Sequence, residues 1–466
     1  ADVVVESMLA PNWLHQPKDI NEFDSSIWPK SLKRDADGHG FIGGVAVGEL
    51  VQQFGTPLYV VDKDEFYSKA KTILAAFDSA AAKHGTKAKL YYAGKALLTT
   101  EIARWISDLG MYLDTASGGE MAVALASEIS PDRVGLHGNN KSHSEIGRAV
   151  VSGLGVIVID SEIELERIAS AAQAQDRIQP VRLRVNSGVH AHTHEYLATA
   201  REDQKFGIAM SDVPDLVAKI RSHNHLKFLG LHSHIGSQIF AVEGFLEAAK
   251  RLVRLHAVLL AGGEVPELNL GGGFGVKYTE ADDPMPIEEI AEEIISTVAS
   301  ECSSLGIAVP VLAFEPGRYI AGPAGITLYN VGTTKDVAVG DSGEIRKYVS
   351  IDGGMSDNAR PALYSADYSV SLVSRTSDCE PALVRVVGKH CESGDIVVKD
   401  AYLPEDVSPN DLVAVATTGA YCYSLSSNYN YLTRPAMVAV SNGVADLLVR
   451  AETEKDLLAR DVKAQP

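Results

Sequence analysis

Between about residues 58 and 320, short β-rich runs alternate with amphipathic helical stretches, and this alternation narrows the fold more than any other feature. The runs are Leu58–Asp62, Lys89–Gly94, Met111–Ala116, Val134–Gly138, Val156–Asp160, Val181–Val185, Phe228–Ser233, Leu268–Leu270 and Val311–Phe314. Helical patterns lie between them, among them Glu101–Leu109, Glu145–Ser152, Ser161–Ala174 and Glu243–Leu260. Such an order calls for parallel strands joined by helical crossovers. After the first run eight strands remain, the count of a closed β/α barrel. A doubly wound sheet is the runner-up, but its glycine fingerprint after the first strand is missing.

Beyond Gly322 the texture changes. Helical periodicity fades, and strand-like segments follow one another: Ile326–Val331, Tyr348–Ile351, Ser369–Val373, Ala382–Val387, Asp395–Val398, Leu412–Ala416 and Ala436–Ser441. This predicts a C-terminal antiparallel β domain. The strand-like Ile42–Val47 predicts that the N-terminal segment joins it. The expected organisation is therefore an N-terminal segment (1–56), a β/α barrel (57–321) and a β-rich domain (322–466). A chain of 466 residues also exceeds one ordinary core.

The formal charge of −19 argues against nucleic acid and anionic membrane surfaces as main partners. No apolar stretch approaches the ~20 residues that cross a bilayer. The start, Ala1 to Glu6, lacks the charged and apolar regions of a signal peptide. Four cysteines occur, Cys302, Cys379, Cys391 and Cys422, with no CxxC pair and no zinc spacing. Few thiols in a long chain fit a reducing cytoplasm.

On a barrel, chemistry gathers at the C-terminal strand ends. Lys95 follows the buried run Leu90-Tyr91-Tyr92 at the end of the first barrel strand. A lysine desolvated there is an amine nucleophile suited to an aldehyde cofactor such as pyridoxal phosphate. The bland alternative is a lysine that reaches solvent. Gly271-Gly272-Gly273 ends the seventh strand and Glu315-Pro316-Gly317-Arg318 the eighth, where this fold binds phosphate. Backbone N–H groups of the glycines and the Arg318 guanidinium suit phosphate oxygens; alone, the glycine run reads as a tight turn.

Glu315 follows the apolar Val311–Phe314 and needs a partner. A protonated pyridine nitrogen is one candidate. A salt bridge to Arg318 is the other. His232 and His234 lie two apart at the end of the sixth strand, so they share a face. No carboxylate adjoins them as a third metal ligand, and one imidazole stacked on a flat ring, with Ser237 near a phosphate, is preferred. The loop bearing His190, His192 and His194 reads as a lid before a metal site. In the β domain, Cys391 stands between His390 and Glu392, an unlikely setting for a purely apolar core thiol.

Taken together, Tyr92-Ala93-Gly94-Lys95, His234-Ile235-Gly236-Ser237-Gln238, Gly271-Gly272-Gly273, Glu315-Pro316-Gly317-Arg318, Arg360-Pro361-Ala362-Leu363-Tyr364, Cys391-Glu392-Ser393-Gly394-Asp395, Gly419-Ala420-Tyr421 and Ser427-Asn428-Tyr429-Asn430 resemble the motifs of fold-type III pyridoxal-phosphate decarboxylases. Within that family the set is most similar to the branch acting on meso-2,6-diaminopimelate, and it extends from about residue 40 to 450. The resemblance implies decarboxylation of that substrate to L-lysine and CO2, the last step of bacterial lysine biosynthesis.

It also implies roles. Lys95 holds the cofactor aldehyde and His234 stacks on its ring. Ser237, Gly271, Gly272, Gly273, Gly317 and Tyr421 hold its phosphate, and Glu315 pairs with its pyridine nitrogen. Asp114 and Arg184, at the ends of the second and fifth strands, belong to the cofactor shell. Arg318, Arg360 and Tyr364 bind the distal carboxylate of the substrate, Glu392 its distal ammonium, and Cys391 donates a proton. A homodimer is implied, with the Cys-Glu segment supplied by the partner. Cys422 departs from the family pattern, where many relatives have glycine. The rivals are decarboxylases of the same fold acting on carboxynorspermidine, arginine or ornithine. An alanine racemase shares the barrel but uses a tyrosine acid and lacks the Cys-Glu-Ser-Gly-Asp segment. A dead regulatory relative would not need both Lys95 and Cys391.

Overall fold

The computed structural model describes residues 9–189, 205–234 and 242–464. The chain divides into two units: residues 69–275 with 284–319, and residues 1–68 with 276–283 and 320–466.

The first unit is a closed barrel. Its eight parallel strands are Ala88–Ala93, Tyr112–Thr115, Val134–Leu136, Val156–Ile159, Gln179–Asn186, Leu226–His232, Glu267–Asn269 and Val311–Phe314. Each pairs with the next, and the eighth closes on the first with Phe314 opposite Leu90. Strands covered on both faces read as unbroken apolar runs, and Val156-Ile157-Val158-Ile159 is buried at every position. Serine or threonine ends several βα turns. Thr99, Ser117, Ser142 and Ser161 each accept a backbone N–H from the first turn of the helix that follows. Such caps are worth ~1 kcal/mol each. They start Thr100–Asp108, Gly118–Ala126, His143–Ser152 and Glu162–Ala174 directly at the C-terminal rim.

The second unit is built on a sheet ordered Ile396–Pro404, Pro381–Val387, Glu344–Ile351, Gly325–Val339, Leu58–Asp62, Ala436–Ser441 and Val444–Val449. Leu412–Ala416 pairs with Gly325–Val339 and with Val370–Leu372. Two features differ from expectation. Leu58–Asp62, assigned from sequence to the barrel domain, lies here between Gly325–Val339 and Ala436–Ser441. A five-residue run buried throughout fits either sheet, so its apolar pattern could not choose. The sheet is also mixed rather than wholly antiparallel. Leu58–Asp62 runs parallel to Ala436–Ser441, and Glu344–Ile351 runs parallel to Pro381–Val387.

Residues of the N-terminal segment pack with this unit. Gly40–Ile42 and Val45–Ala46 form a small antiparallel sheet with Lys33–Arg34. Ile27, Trp28 and Ile42 pack into one core with Leu58, Val60, Ile326, Leu328 and Val438. No helix among the described residues is long and apolar enough to cross a membrane.

Candidate active site

Closing a parallel barrel brings eight strand ends to one rim. There Lys95, Asp114, His137, Arg184, His232, His234 and Glu315 line a cavity of about 190 Å³. Lys95 is exposed at this cavity, not sunk into the strand end as the sequence suggested.

Glu315 is the electrostatic centre. It is buried, and its carboxylate meets His232 Nε2 at 2.9 Å, His137 Nε2 at 3.1 Å and Asn269 Nδ2 at 3.2 Å. His137 Nε2 also lies 3.1 Å from Asp114 Oδ1. Burial raises a carboxyl and lowers an imidazole; opposite charges do the reverse. For His137, burial is outweighed by the two carboxylates, which lift it to about 9. Burial holds His232 down at about 4, so it is neutral at pH 7 and donates to Glu315. Despite burial, the imidazoles keep Glu315 well below the ordinary carboxylate range. Burial pushes Asp114 up to about 7, with His137 opposing. Enclosure also keeps His234 neutral. The site thus presents a buried anion beside a neutral, flat imidazole.

The glycine turn is fixed to the same acid. Gly271 N–H donates to Asn269 Oδ1 at 2.8 Å, while Asn269 donates to Glu315. Glu315 N–H in turn donates to the Gly271 carbonyl at 2.8 Å. Gly271 has φ +76°, and a Cβ on Gly272 would stand 2.0 Å from the Glu315 carbonyl oxygen, so only glycine fits. Gly317 packs on Ala93, where a Cβ would meet Ala93 Cβ at 3.0 Å. Gly273 has φ +99°. Arg318 is buried at the start of the short helix Arg318–Ala321. Backbone packed this closely, with no side chain in the way, fits a phosphate cradle.

The loop after the third strand is anchored beneath. Buried Lys141 donates to Gly138 O at 2.7 Å, Val158 O at 2.5 Å and Glu164 Oε1 at 2.6 Å. It holds the segment that begins with His137. Arg184 lies over the Phe206 ring at 4.5 Å.

The remaining expected residues lie in the β unit. Arg360 is buried, donates to Tyr368 OH at 2.8 Å and stacks 4.8 Å over the Tyr278 ring. Among the described residues no carboxylate pairs with it. Buried Cys422 Sγ is 3.7 Å from the same Tyr368 hydroxyl. Tyr364 is exposed, and Tyr421 has φ +62°. Cys391 and Glu392 are both exposed. Ser237, His190, His192 and His194 lie outside the described residues.

Sequence reasoning missed His137, Asn269 and Lys141. Glu315, offered either a pyridine or Arg318 as partner, is held by His137, His232 and Asn269. Ligand atoms of His137, His232 and Glu315 fall within 4.8 Å of one another, a spacing that could hold a metal ion. The hydrogen bond of His232 and the ion pair of His137 with the carboxylate account for that grouping.

The family model described as "Pyridoxal-dependent decarboxylase, pyridoxal binding domain" matches residues 69–322, more than half of the chain. The diaminopimelate decarboxylase of Mycobacterium tuberculosis is 49% identical over 94% of this chain and 98% of its own length. That of Bacillus subtilis is 40% identical over 92% and 97%. The crystal structure of diaminopimelate decarboxylase from M. jannaschii in co-complex with L-lysine superposes with a TM-score of 0.86 at 29% identity, covering 93% of this chain and 98% of that one. The chain belongs to the pyridoxal-dependent decarboxylases, among the relatives named diaminopimelate decarboxylase.

Proposed function

We propose that this protein decarboxylates meso-2,6-diaminopimelate to L-lysine and CO2 with pyridoxal 5'-phosphate held at Lys95. The observation that carries the cofactor assignment is Glu315, kept ionised on the wall of the cavity that Lys95 lines. When bound, the cofactor supplies an electron sink for the pair released as the Cα–carboxylate bond breaks. Glu315 would pair with the pyridine nitrogen, and neutral His234 would offer a flat face to the ring. Gly271, Gly272, Gly273 and Gly317, with Ser237 and Tyr421, receive the phosphate. Asp114 and Arg184 complete the surroundings of the ring. Lys95 would hold the aldehyde through its amine.

Substrate choice rests on Arg360. A buried guanidinium whose described partners are only tyrosines calls for an anion. The second amino-acid head of diaminopimelate carries one. Arg360, Arg318 and Tyr364 take its carboxylate, and Glu392 takes its ammonium. Ornithine or lysine would leave Arg360 unpaired. Cys391 delivers the proton to Cα. Exposure of Cys391 and Glu392 supports their donation to the site of a second copy, and hence a homodimer. Four free cysteines support a cytoplasmic setting.

The test is CO2 release from meso-diaminopimelate, run beside ornithine and lysine. Release from meso-diaminopimelate alone is expected; full activity on ornithine with none on meso-diaminopimelate contradicts the assignment.

A further inference from the structure

Cys391 and Glu392 are gripped by another adjacent pair. Asn430 Oδ1 accepts the backbone N–H of Cys391 at 2.9 Å. The Tyr429 hydroxyl donates to Glu392 Oε1 at 2.6 Å. Both partners come from the one-turn helix Tyr429–Tyr431. Its backbone is unusual, for Asn430 and Tyr431 are both left-handed, at φ +53° and +58°. Asparagine tolerates that region; a tyrosine there is a true outlier, of the kind that clusters at functional sites.

The turn is itself held. Asn428 Nδ2 donates to Leu432 O at 3.0 Å and to Glu452 Oε1 at 2.7 Å. On the other side, the root of the Cys-Glu segment is buried and rigid. Asp395 accepts His390 N–H at 3.0 Å, His390 Nδ1 at 2.7 Å and Met355 N–H at 2.7 Å, and His390 Nε2 lies 2.8 Å from Ser356 Oγ. The segment is thus fixed at its root, and its exposed tip is steered by Tyr429 and Asn430. The hydrogen bond to Glu392 raises the Tyr429 phenol, so the donor keeps its proton at neutral pH.

We propose that Tyr429 and Asn430 are positioning residues, Tyr429 aiming the Glu392 carboxylate at the substrate's distal ammonium and Asn430 setting the backbone that places the Cys391 thiol. This rests on the roles given above to Cys391 and Glu392. It separates two kinetic effects that a general structural role would move together.

The experiment is steady-state kinetics of the holoenzyme with meso-diaminopimelate. Tyr429→Phe keeps the exposed ring and removes one hydrogen bond; it should raise KM about 5- to 10-fold and leave kcat within about 2-fold. In a Glu392→Gln background, Tyr429→Phe should add nothing further. Asn430→Gly, which tolerates the left-handed backbone, should lower kcat at least about 10-fold with KM little changed, and Asn430→Asp, which keeps an acceptor oxygen, should restore it. If Glu392→Gln raises KM and Tyr429→Phe does not, the positioning role of Tyr429 is wrong while the role of Glu392 stands. If Glu392→Gln leaves KM unchanged, both fall. If Asn430→Gly and Asn430→Asp lose kcat alike, Asn430 does not act through its acceptor.

Discussion

His137 Nε2 lies 3.1 Å from Glu315 Oε2, though the two residues follow strands 178 residues apart in sequence. The imidazolium offsets a buried carboxylate that would otherwise be protonated or expelled. His137 is lifted to about 9, above the ~6.5 of a free imidazole. A raised folded-state value stabilises the fold fully below about pH 6.5, and that contribution is lost as the pH climbs through 9. Urea unfolding of cofactor-free protein should therefore show the advantage of the wild type over His137→Gln shrinking across that window, by at most about 3 kcal/mol. A difference that ignores pH would disprove the charge assignment.

Lys141 and Glu164 form a buried pair at 2.6 Å beneath the His137 loop. Lys141→Met strands a buried carboxylate and should cost about 3–5 kcal/mol in unfolding free energy. Lys141→Met combined with Glu164→Leu should recover much of it. A double variant as weak as the single one would show that packing, not charge, is at stake.

Asn269 joins Glu315 to the Gly271 N–H. Asn269→Leu leaves both groups buried without that partner, at about 1–3 kcal/mol each. Weaker binding of pyridoxal phosphate, read by fluorescence titration, should accompany the lower melting temperature. Unchanged cofactor affinity would mean that the acid and the glycine turn act independently.

In the β unit the Tyr368 hydroxyl accepts a hydrogen bond from Arg360 at 2.8 Å. Tyr368→Phe should raise KM for meso-diaminopimelate several-fold, corresponding to about 1–1.5 kcal/mol, while cofactor affinity stays the same. An equal loss of cofactor affinity would argue for a general structural effect.

Much of this was legible in the chain. The barrel strands stood out because strands buried on both faces are apolar throughout, and Ser or Thr caps mark where their helices begin. Lys95 and Glu315 were visible as charges at the ends of such runs. His137 was not, because one histidine after Val134-Gly135-Leu136 looks like any loop residue until the barrel closes and sets it between Asp114 and Glu315. Asn269 sat inside the apolar-looking Leu268–Leu270, and only the fold shows its amide bridging two strand ends. Val444–Val449 was overlooked because an edge strand, half exposed and carrying Asp446, lacks a buried face to mark it. Leu58–Asp62 showed its strand character but not its sheet, since pairing partners are a property of the fold.

The most direct test of the central claim is to load the protein with pyridoxal phosphate, reduce it with borohydride and map the modified peptide. A single pyridoxyl group on Lys95 and loss of the visible absorbance are expected. A pyridoxyl group on any other lysine, or a protein that never takes up the cofactor, would contradict that claim.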